Sequence, residues 1–363
     1  MTTTLNITVK RRNFSGLLNW AFPHPVLWAI VTAMLLCNAL GIALSSHLSI
    51  EPGRFIDDAK MLGFASVLML MRHFYNEIFD GLLHRVWCVF MAALFASVLF
   101  NNLLVLNHVL MANSFPMADD RLLSWDQALG LDWLAYAKFM TSSPVMQDML
   151  YLAYQDMTYG GVALVAVVLV VLNLRRRTIE LACLLTGAAV VCLTVACFFP
   201  ARAAMDVLAD KELFQRVYHG IDGFKAGFYH IEQLMELRGS APVLIKSSSL
   251  EGLATFPSFH TCLAIIIMWC SRGHWVTASI GKIVGGMILA ATPIFGGHYF
   301  VDIIAGGFVM TCLILLWRRF IVHKFEAEIP GMKIENSKLP SWMRFEGTTK
   351  PKIINSINAI DRA

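Results

Sequence analysis

The chain has 363 residues, of which 57% are hydrophobic and only 15% are charged, and its mean hydropathy is +0.61. This composition excludes an ordinary soluble domain and indicates an integral membrane protein. The formal net charge of +4 is too small to suggest a nucleic-acid partner.

Residues 1–85 are predicted to form an N-terminal segment with one or two transmembrane helices. Basic residues at Lys10 to Arg12 precede an apolar run from Val26 to Ser45, as they would in a signal peptide. The run has the length of a membrane span, roughly 20 residues, and no small-residue cleavage site follows it, so we expect a retained helix. A weaker candidate, with charged residues crowding its start, lies around Met61 to Met71.

Residues 86–320 hold the remaining apolar runs and are predicted to form the main membrane domain. The six candidate spans are Val86 to Met111, about Met149 to Leu174, Ile179 to Phe199, Phe256 to Cys270, Trp275 to Phe295, and Tyr299 to Trp317. With the two N-terminal candidates they make about eight spans, so the predicted fold is an all-α polytopic membrane helix bundle. Residues 321–363 form a polar tail that we expect to be cytoplasmic and loosely ordered.

The arginine- and lysine-rich loops alternate along the chain as eight spans require, which places both termini in the cytoplasm. Two long segments, 112–148 and 200–255, then fall on the opposite side. In the first, apolar residues recur at helical spacing after Asp119 and Asp120, either of which is available as an N-cap, so we expect short helices lying in the membrane interface. The second segment, 200–255, is expected to cover an active site that opens on the non-cytoplasmic side.

The stretch GGHYFVDIIAGG opens the last predicted span with a histidine and an aspartate four residues apart. Side chains at this spacing share one face of a helix, so Asp302 is predicted to accept a hydrogen bond from His298. A carboxylate in that position fixes the tautomer of the ring and stabilises the positive charge that develops during attack. His298 is therefore a candidate nucleophile with Asp302 as its orienting partner.

The stretch FPSFH opens an earlier span and is predicted to face the same side. Pro257 suits the first position of a helix, and a helix N-terminus offers unpaired N–H groups to an anion such as phosphate. Ser258 is a candidate phosphate ligand, with an N-cap as the alternative. His260, when protonated, is a candidate general acid for a leaving oxygen. Together these residues predict covalent phosphoryl transfer.

PSFH followed by GGHYFVD resembles the second and third motifs of the type 2 phosphatidic acid phosphatase superfamily, and especially its inositol phosphorylceramide synthase-like branch, where the third motif is a bare H-x-x-x-D. WDQALGLDW is also similar to bacterial members of that branch. The resemblance implies a six-helix catalytic core, here within residues 86–320, and a phosphohistidine at His298. It also implies that no metal or cofactor is needed, and in a bacterial inner membrane the site would face the periplasm.

Two elements of the superfamily pattern are missing from this chain. The serine and arginine that usually precede the third-motif histidine are replaced by Ala291 and Thr292, and the first motif, a lysine followed seven residues later by arginine and proline, is absent. Arg202 and Lys246 are candidates to meet the phosphate charge instead, with contact to solvent or lipid headgroups as the alternative. These losses favour a transferase over an ordinary phosphatase.

The implied substrates are a lipid phosphate or a phospholipid as donor and water or an alcohol as acceptor, with membrane lipids around the protein. One alternative is a transporter or channel in which the histidines and aspartate relay protons or ions. Another is a metal oxygenase, since two histidines and a carboxylate can hold non-haem iron. A polar group at Gln155, Asp156 and Tyr159 is interpreted as a seam between helices.

Overall fold

The computed structural model describes residues 22–51, 53–75, 81–113, 115–209, 213, 229–246 and 250–321. The predicted basic N-terminus at Lys10 to Arg12 and the predicted cytoplasmic tail lie outside this part of the chain. In chain order the helices are α1 (Pro25–Leu44), α2 (Gly53–Phe74), α3 (Gly81–Met111), α4 (Asp119–Ala128), α5 (Trp133–Met140), α6 (Pro144–Leu152), α7 (Thr158–Val171), α8 (Arg175–Phe198), α9 (Ala204–Leu208), α10 (Tyr229–Leu237), α11 (Phe259–Cys270), α12 (Trp275–Phe295) and α13 (Phe300–Leu316).

The predicted all-α membrane bundle is confirmed. Six helical stretches in the described residues are long and apolar enough to cross a membrane: Pro25–Leu44, Leu82–Met111, Pro144–Val171, Arg175–Phe198, Trp275–Phe295 and Phe300–Ile321. Two of the eight predicted spans are not long or apolar enough to meet this criterion. The helix α2 carries too many charged residues in its first turns, and α11 has only 12 residues, or about 18 Å against a hydrocarbon core of roughly 30 Å.

Two π-helical stretches interrupt or end the long helices. Ala153–Met157 joins α6 to α7, and Trp317–Ile321 continues α13. Single-turn π segments of this kind are frequent at functional sites. The β-structure in the described residues is a short parallel pair of strands, β1 (Leu48–Ile50) and β2 (Val243–Ile245), in which Leu48 is paired with Val243. The pair ties the loop after α1 to the long 200–255 segment.

The short helix α11 lies at the centre of the bundle, packed against α7, α8, α12 and α13. Its side chains Cys262, Leu263, Ala264 and Ile266 are completely buried, which is why its sequence is apolar on nearly every side. A Cβ atom added at Gly285 of α12 would lie 2.9 Å from the carbonyl oxygen of Ala264. The glycine therefore permits the close approach that holds α11 in place.

A charged cluster fixes the end of α11 that is remote from the histidine motifs. Glu180 of α8 is 2% exposed and accepts hydrogen bonds from Arg272 at 2.7 and 2.8 Å and from the indole of Trp269 at 2.7 Å. The guanidinium of Arg272 also lies 4.0 Å from the centroid of the Trp269 ring. These paired charges anchor the C-terminal end of α11 to α8.

Two local predictions at helix starts were wrong. The N-cap of α4 is Ala118, and Asp119 is the first helical residue. The N-cap of α11 is Ser258, so Pro257 precedes the helix instead of occupying its first position. The Asp119 side chain is used for contacts with another part of the chain, described below, whereas Ser258 caps α11 by accepting the N–H of Thr261 at 3.3 Å.

Candidate active site

The two histidine motifs meet at the start of α11. The hydroxyl oxygen of Ser258 lies 3.4 Å from Nε2 of His298, and the backbone N–H of Ser258 donates a 2.9 Å hydrogen bond to the carbonyl oxygen of Asp302. A Cβ atom added at Gly306 would lie 2.5 Å from the Ser258 carbonyl oxygen. Only glycine at this position lets α13 approach α11 closely enough to join the motifs.

His298 and Asp302 form the predicted hydrogen bond, although His298 does not share the helix with Asp302 as predicted, because α13 begins only at Phe300. Nδ1 of His298 lies 3.0 Å from Oδ2 of Asp302, and the same oxygen accepts the backbone N–H of Tyr299 at 3.1 Å. His298 is 4% exposed and Asp302 is completely buried. Because the carboxylate oxygen is an acceptor, Nδ1 carries the ring proton and the lone pair of Nε2 points toward Ser258.

A glycine turn between α12 and α13 presents His298. Gly297 has a φ of +64°, a conformation that residues with a side chain rarely adopt. A Cβ atom added at Gly296 would lie 2.6 Å from Cδ2 of His298 and 2.8 Å from the Thr292 carbonyl oxygen. The two glycines therefore allow the turn to close tightly behind the imidazole.

His260 faces His298 from the first turn of α11, with 6.4 Å between the ring centroids. Its ring stacks on Tyr154 at a centroid distance of 4.3 Å, and the Tyr154 hydroxyl lies 3.3 Å from Nδ1. Tyr159 packs edge-on against the other side at 5.7 Å. The two tyrosines fix the orientation of the His260 ring. Because Nδ1 faces the Tyr154 hydroxyl, Nε2 is the ring nitrogen that remains for proton transfer.

Tyr154 was not among the predicted site residues. It lies on the π-helical stretch Ala153–Met157, next to the polar group that was interpreted as a seam between helices. Of that group, Gln155 and Tyr159 line the cavity in front of the histidines. The run of polar residues within an apolar span was the available signal, since such residues are rare in membrane spans and often functional.

The short helices α4 and α5 donate and accept hydrogen bonds that hold the backbone of the site. Asp126 accepts the first backbone N–H groups of α13, from Phe300 at 2.9 Å and from Val301 at 2.8 Å. The indole of Trp133 donates to the carbonyl oxygen of His298 at 3.2 Å. The segment WDQALGLDW thus supplies a carboxylate and an indole that fix the backbone around the candidate nucleophile.

Asp119 connects α4 to the long 200–255 segment. Its carboxylate accepts the backbone N–H groups of Arg202 at 3.0 Å and Ala203 at 3.3 Å, and also the hydroxyl of Tyr299 at 3.1 Å. Sequence rules for helix caps could not reveal this role, because all three partners are at least 83 residues away along the chain.

Replacing Asp126 with alanine is expected to destabilise the fold. Two hydrogen bonds to a buried carboxylate would be lost and two N–H groups of α13 left without their acceptor, at a cost of about 2 to 4 kcal/mol. Thermal unfolding of the purified protein in detergent measures the effect. Asp120→Ala is the matched control, since Asp120 is exposed on the same helix; equal midpoints for the two variants would contradict the anchoring role.

A cavity of about 550 Å³ opens in front of the site, within the size range of small-molecule binding sites. His298, His260 and Tyr154 line one part, and apolar residues of α3 and α8 line another. His230 of α10, Asn107 of α3 and Glu251 also contribute. The described lining residues include three histidines and neither arginine nor lysine.

Within the described residues, no group of three histidine, cysteine, aspartate or glutamate side chains is arranged to hold a metal ion.

The three predicted phosphate ligands, Ser258, Arg202 and Lys246, are not among the described residues that line this cavity, and Ser258 is completely buried. The guanidinium of Arg202 pairs with Asp206 at 2.5 Å, and its side chain is 46% exposed. Lys246 is exposed immediately after β2. A contact between either basic residue and phosphate therefore stays a prediction, and one that requires the side chain to turn toward the cavity.

Burial controls the protonation of the two cavity histidines outside the membrane spans. It lowers the pKa of His298 to about 4 and lowers the pKa of His230 below its usual value, because a charged ring loses its hydration in the interior. Both rings are therefore neutral at pH 7. Neutral imidazole is the form of His298 that can act as a nucleophile.

A family model described as the PAP2 superfamily matches residues 120–316, more than half of the chain. The chain belongs to the PAP2 superfamily. The matched region contains Asp126 and both histidine motifs, so the superfamily inferred from those motifs is confirmed, whereas the synthase-like branch stays a prediction. Comparison with curated proteins and with solved structures found no match.

Proposed function

We propose that this PAP2 superfamily protein is a membrane enzyme that transfers a phosphoryl or phosphoalcohol group from a lipid phosphate or phospholipid through a phosphohistidine at His298. Superfamily membership and the apolar helices fit a membrane lipid phosphatase-like protein. The observation that supports the chemistry is the buried 3.0 Å contact between His298 Nδ1 and Asp302, which leaves Nε2 as the unprotonated nitrogen of a ring that lines the cavity.

In the first step, Nε2 of His298 attacks the phosphorus atom of the donor. The N–P bond forms as the P–O bond to the lipid alcohol breaks, and the leaving oxygen takes a proton from His260. The ring of His298 becomes positively charged during the attack, and the Asp302 carboxylate stabilises that charge through Nδ1–H. In this proposal the N–H groups at the start of α11 contact the phosphate oxygens. Ser258 caps that helix by accepting the N–H of Thr261 and is completely buried outside the described cavity lining, so a contact between its hydroxyl and phosphate stays a prediction.

In the second step, water or an alcohol attacks the phosphohistidine and restores the enzyme. The acceptor oxygen bonds to phosphorus, the N–P bond breaks, and the acceptor proton passes to His260. Water as acceptor gives a phosphatase, and an alcohol gives a transferase. The missing arginine of the third motif favours the transferase, and residues 86–320 are the proposed catalytic domain, with the site at the periplasmic face of a bacterial inner membrane and both termini in the cytoplasm.

A product assay tests this function. Purified protein in detergent is incubated with labelled phosphatidic acid and phospholipids, with and without inositol, and free phosphate is separated from new phospholipid. Phosphate alone would identify a phosphatase, and a new headgroup-bearing lipid would identify a transferase. The proposal fails if no donor in the panel is converted by folded protein.

Replacing His260 with alanine is expected to slow the enzyme in a way that depends on the leaving group. General acid catalysis contributes about 10² to 10⁴ in rate when the leaving alkoxide is basic. The variant should therefore lose that factor with a natural lipid but little with a p-nitrophenyl phosphate ester, whose leaving group needs no proton. An equal loss of kcat with both substrates would contradict the acid role.

A further inference from the structure

His230 is a cavity histidine that the proposed mechanism does not use. It lies on α10, within the 200–255 segment, and is 7% exposed. It lines the same cavity as His298 and His260, and its pKa is lowered in part by the charge of a protonated His298, so the two rings lie within electrostatic range of each other. No sequence motif pointed to it.

The hydrogen bond of His230 determines which of its ring nitrogens is available to bind a ligand. Its Nε2 lies 2.8 Å from the carbonyl oxygen of Arg202. A carbonyl oxygen can only accept, so Nε2 carries the proton of the neutral ring. Nδ1 is then an unprotonated acceptor, and it becomes a second donor only when the ring takes up a proton.

We propose that His230 binds the substrate phosphate as an imidazolium, with Nδ1–H donating to a phosphate oxygen, and that the ring takes up this proton from solvent as the phosphate enters. The inference rests on the proposed function, since it places a phosphate in the cavity. It gives this chain a cation where the described lining has neither arginine nor lysine. The phosphate would thus be held by a charge that is present only in the complex.

The groups around His230 are consistent with a ring that is neutral when the cavity is empty and charged when it is filled. Burial and the ring of His298 disfavour the imidazolium, whereas Asp206 and Asp119 favour it. His260 and Glu251 line the same cavity. An entering phosphate adds negative charge at short range in a buried site, which raises the proton affinity of the ring.

Two substitutions separate this role from a structural one. In His230→Gln, the side-chain amide reaches the position of Nε2 and can keep the bond to the Arg202 carbonyl, but it cannot take up a proton. In His230→Asn, the amide lies nearer the position of Nδ1 and loses that bond. His47→Gln is the matched control, because Nε2 of His47 also bonds a carbonyl oxygen, that of Leu237 at 3.2 Å, and His47 is not among the cavity-lining residues.

The first measurement uses sulfate, an oxyanion that does not titrate between pH 6 and 8. Isothermal titration calorimetry in buffers of different ionisation enthalpy gives its affinity and the protons taken up on binding. His230→Gln is expected to bind sulfate about tenfold to a hundredfold more weakly than wild type and to take up fewer protons. The affinity of the wild-type protein for sulfate should fall as pH rises from 6 to 8, because binding requires His230 to take up a proton and the proton concentration falls.

The second measurement is KM for a phospholipid whose phosphate does not titrate in this range. His230→Gln should raise KM by a similar factor and flatten its rise with pH, while His47→Gln should match wild type. If His230→Gln matches wild type in sulfate affinity and in KM, the role of His230 is overturned and the proposed function stands. If wild-type protein neither binds sulfate nor converts any lipid, both are overturned.

Discussion

Replacing His298 with alanine is expected to lower turnover of the lipid donor by about 10⁴-fold or more. The substitution removes the atom that forms the covalent bond, and loss of a nucleophile from a catalytic set of this kind costs rates of that order. The remaining residues can still bind the donor, so the loss should fall on kcat and leave KM little changed. The measurement is steady-state turnover of the donor identified in the product assay.

The control for this variant is a histidine at the far end of α12, the helix that precedes the turn holding His298. His274 caps the start of α12 by accepting the N–H of Val276 at 3.3 Å, a role that asparagine can also fill. His274→Asn should retain wild-type turnover and thermal stability. Comparable turnover in His298→Ala and His274→Asn would exclude His298 as the nucleophile.

Asp302 is expected to show two separable effects when it is replaced. The N–H of Tyr299 donates to the same carboxylate oxygen as His298, and the other oxygen, Oδ1, has no hydrogen-bond partner among the described residues. An asparagine should therefore place its carbonyl oxygen at Oδ2 and its amide group at the unpartnered position. Asp302→Asn keeps the tautomer of His298 and removes only the negative charge.

Turnover is expected to fall by about 10² in Asp302→Asn, from loss of the charge that stabilises the imidazolium, and by about 10⁴ in Asp302→Ala, which also frees the ring to rotate and change tautomer. The two rates, measured on proteins with matched thermal unfolding, give the contributions of charge and orientation. Equal rates for the two variants would show that orientation by hydrogen bonding contributes nothing beyond charge. A wild-type rate in either would contradict the pairing.

The contact between His298 and Asp302 was predicted from helical spacing, and it is present although His298 lies outside the helix, which begins at Phe300 after the N-cap Tyr299. Asp302, in the first turn, reaches back to the residues that precede the helix, so the contact depends only on a short separation along the chain. The apolar spans could be predicted for a similar reason, since their length and composition are set by the bilayer. The helix Trp275–Phe295 begins and ends at the predicted residues.

The parts that could not be predicted depend on contacts between distant segments. Tyr154 reaches His260 across 106 positions of the chain, and Asp126 reaches Phe300 across 174. His230 enters the cavity from a segment in which no motif marks it. Asp119 resembles a helix cap in sequence, but it bonds the loop at Arg202 because the fold brings that loop to its carboxylate.

The length of α11 shows how tertiary context overrides a hydropathy pattern. The apolar run from Phe256 to Cys270 was predicted to span the membrane, but the helix begins only at Phe259, after Ser258 has turned to cap it and to contact His298. The shorter helix has His260 in its first turn and packs against α7, α8, α12 and α13, an arrangement that no sequence rule for spans would indicate.

The most direct test of the account is a search for the covalent intermediate. Wild-type protein is mixed with ³²P-labelled donor, quenched in alkali within its first turnover, and digested for mass spectrometry. The account predicts an alkali-stable, acid-labile phosphoryl or phosphoalcohol adduct on His298 that forms and decays at rates consistent with turnover and is absent in His298→Ala. Rapid turnover with no adduct, or an adduct on another residue that persists in His298→Ala, would contradict it.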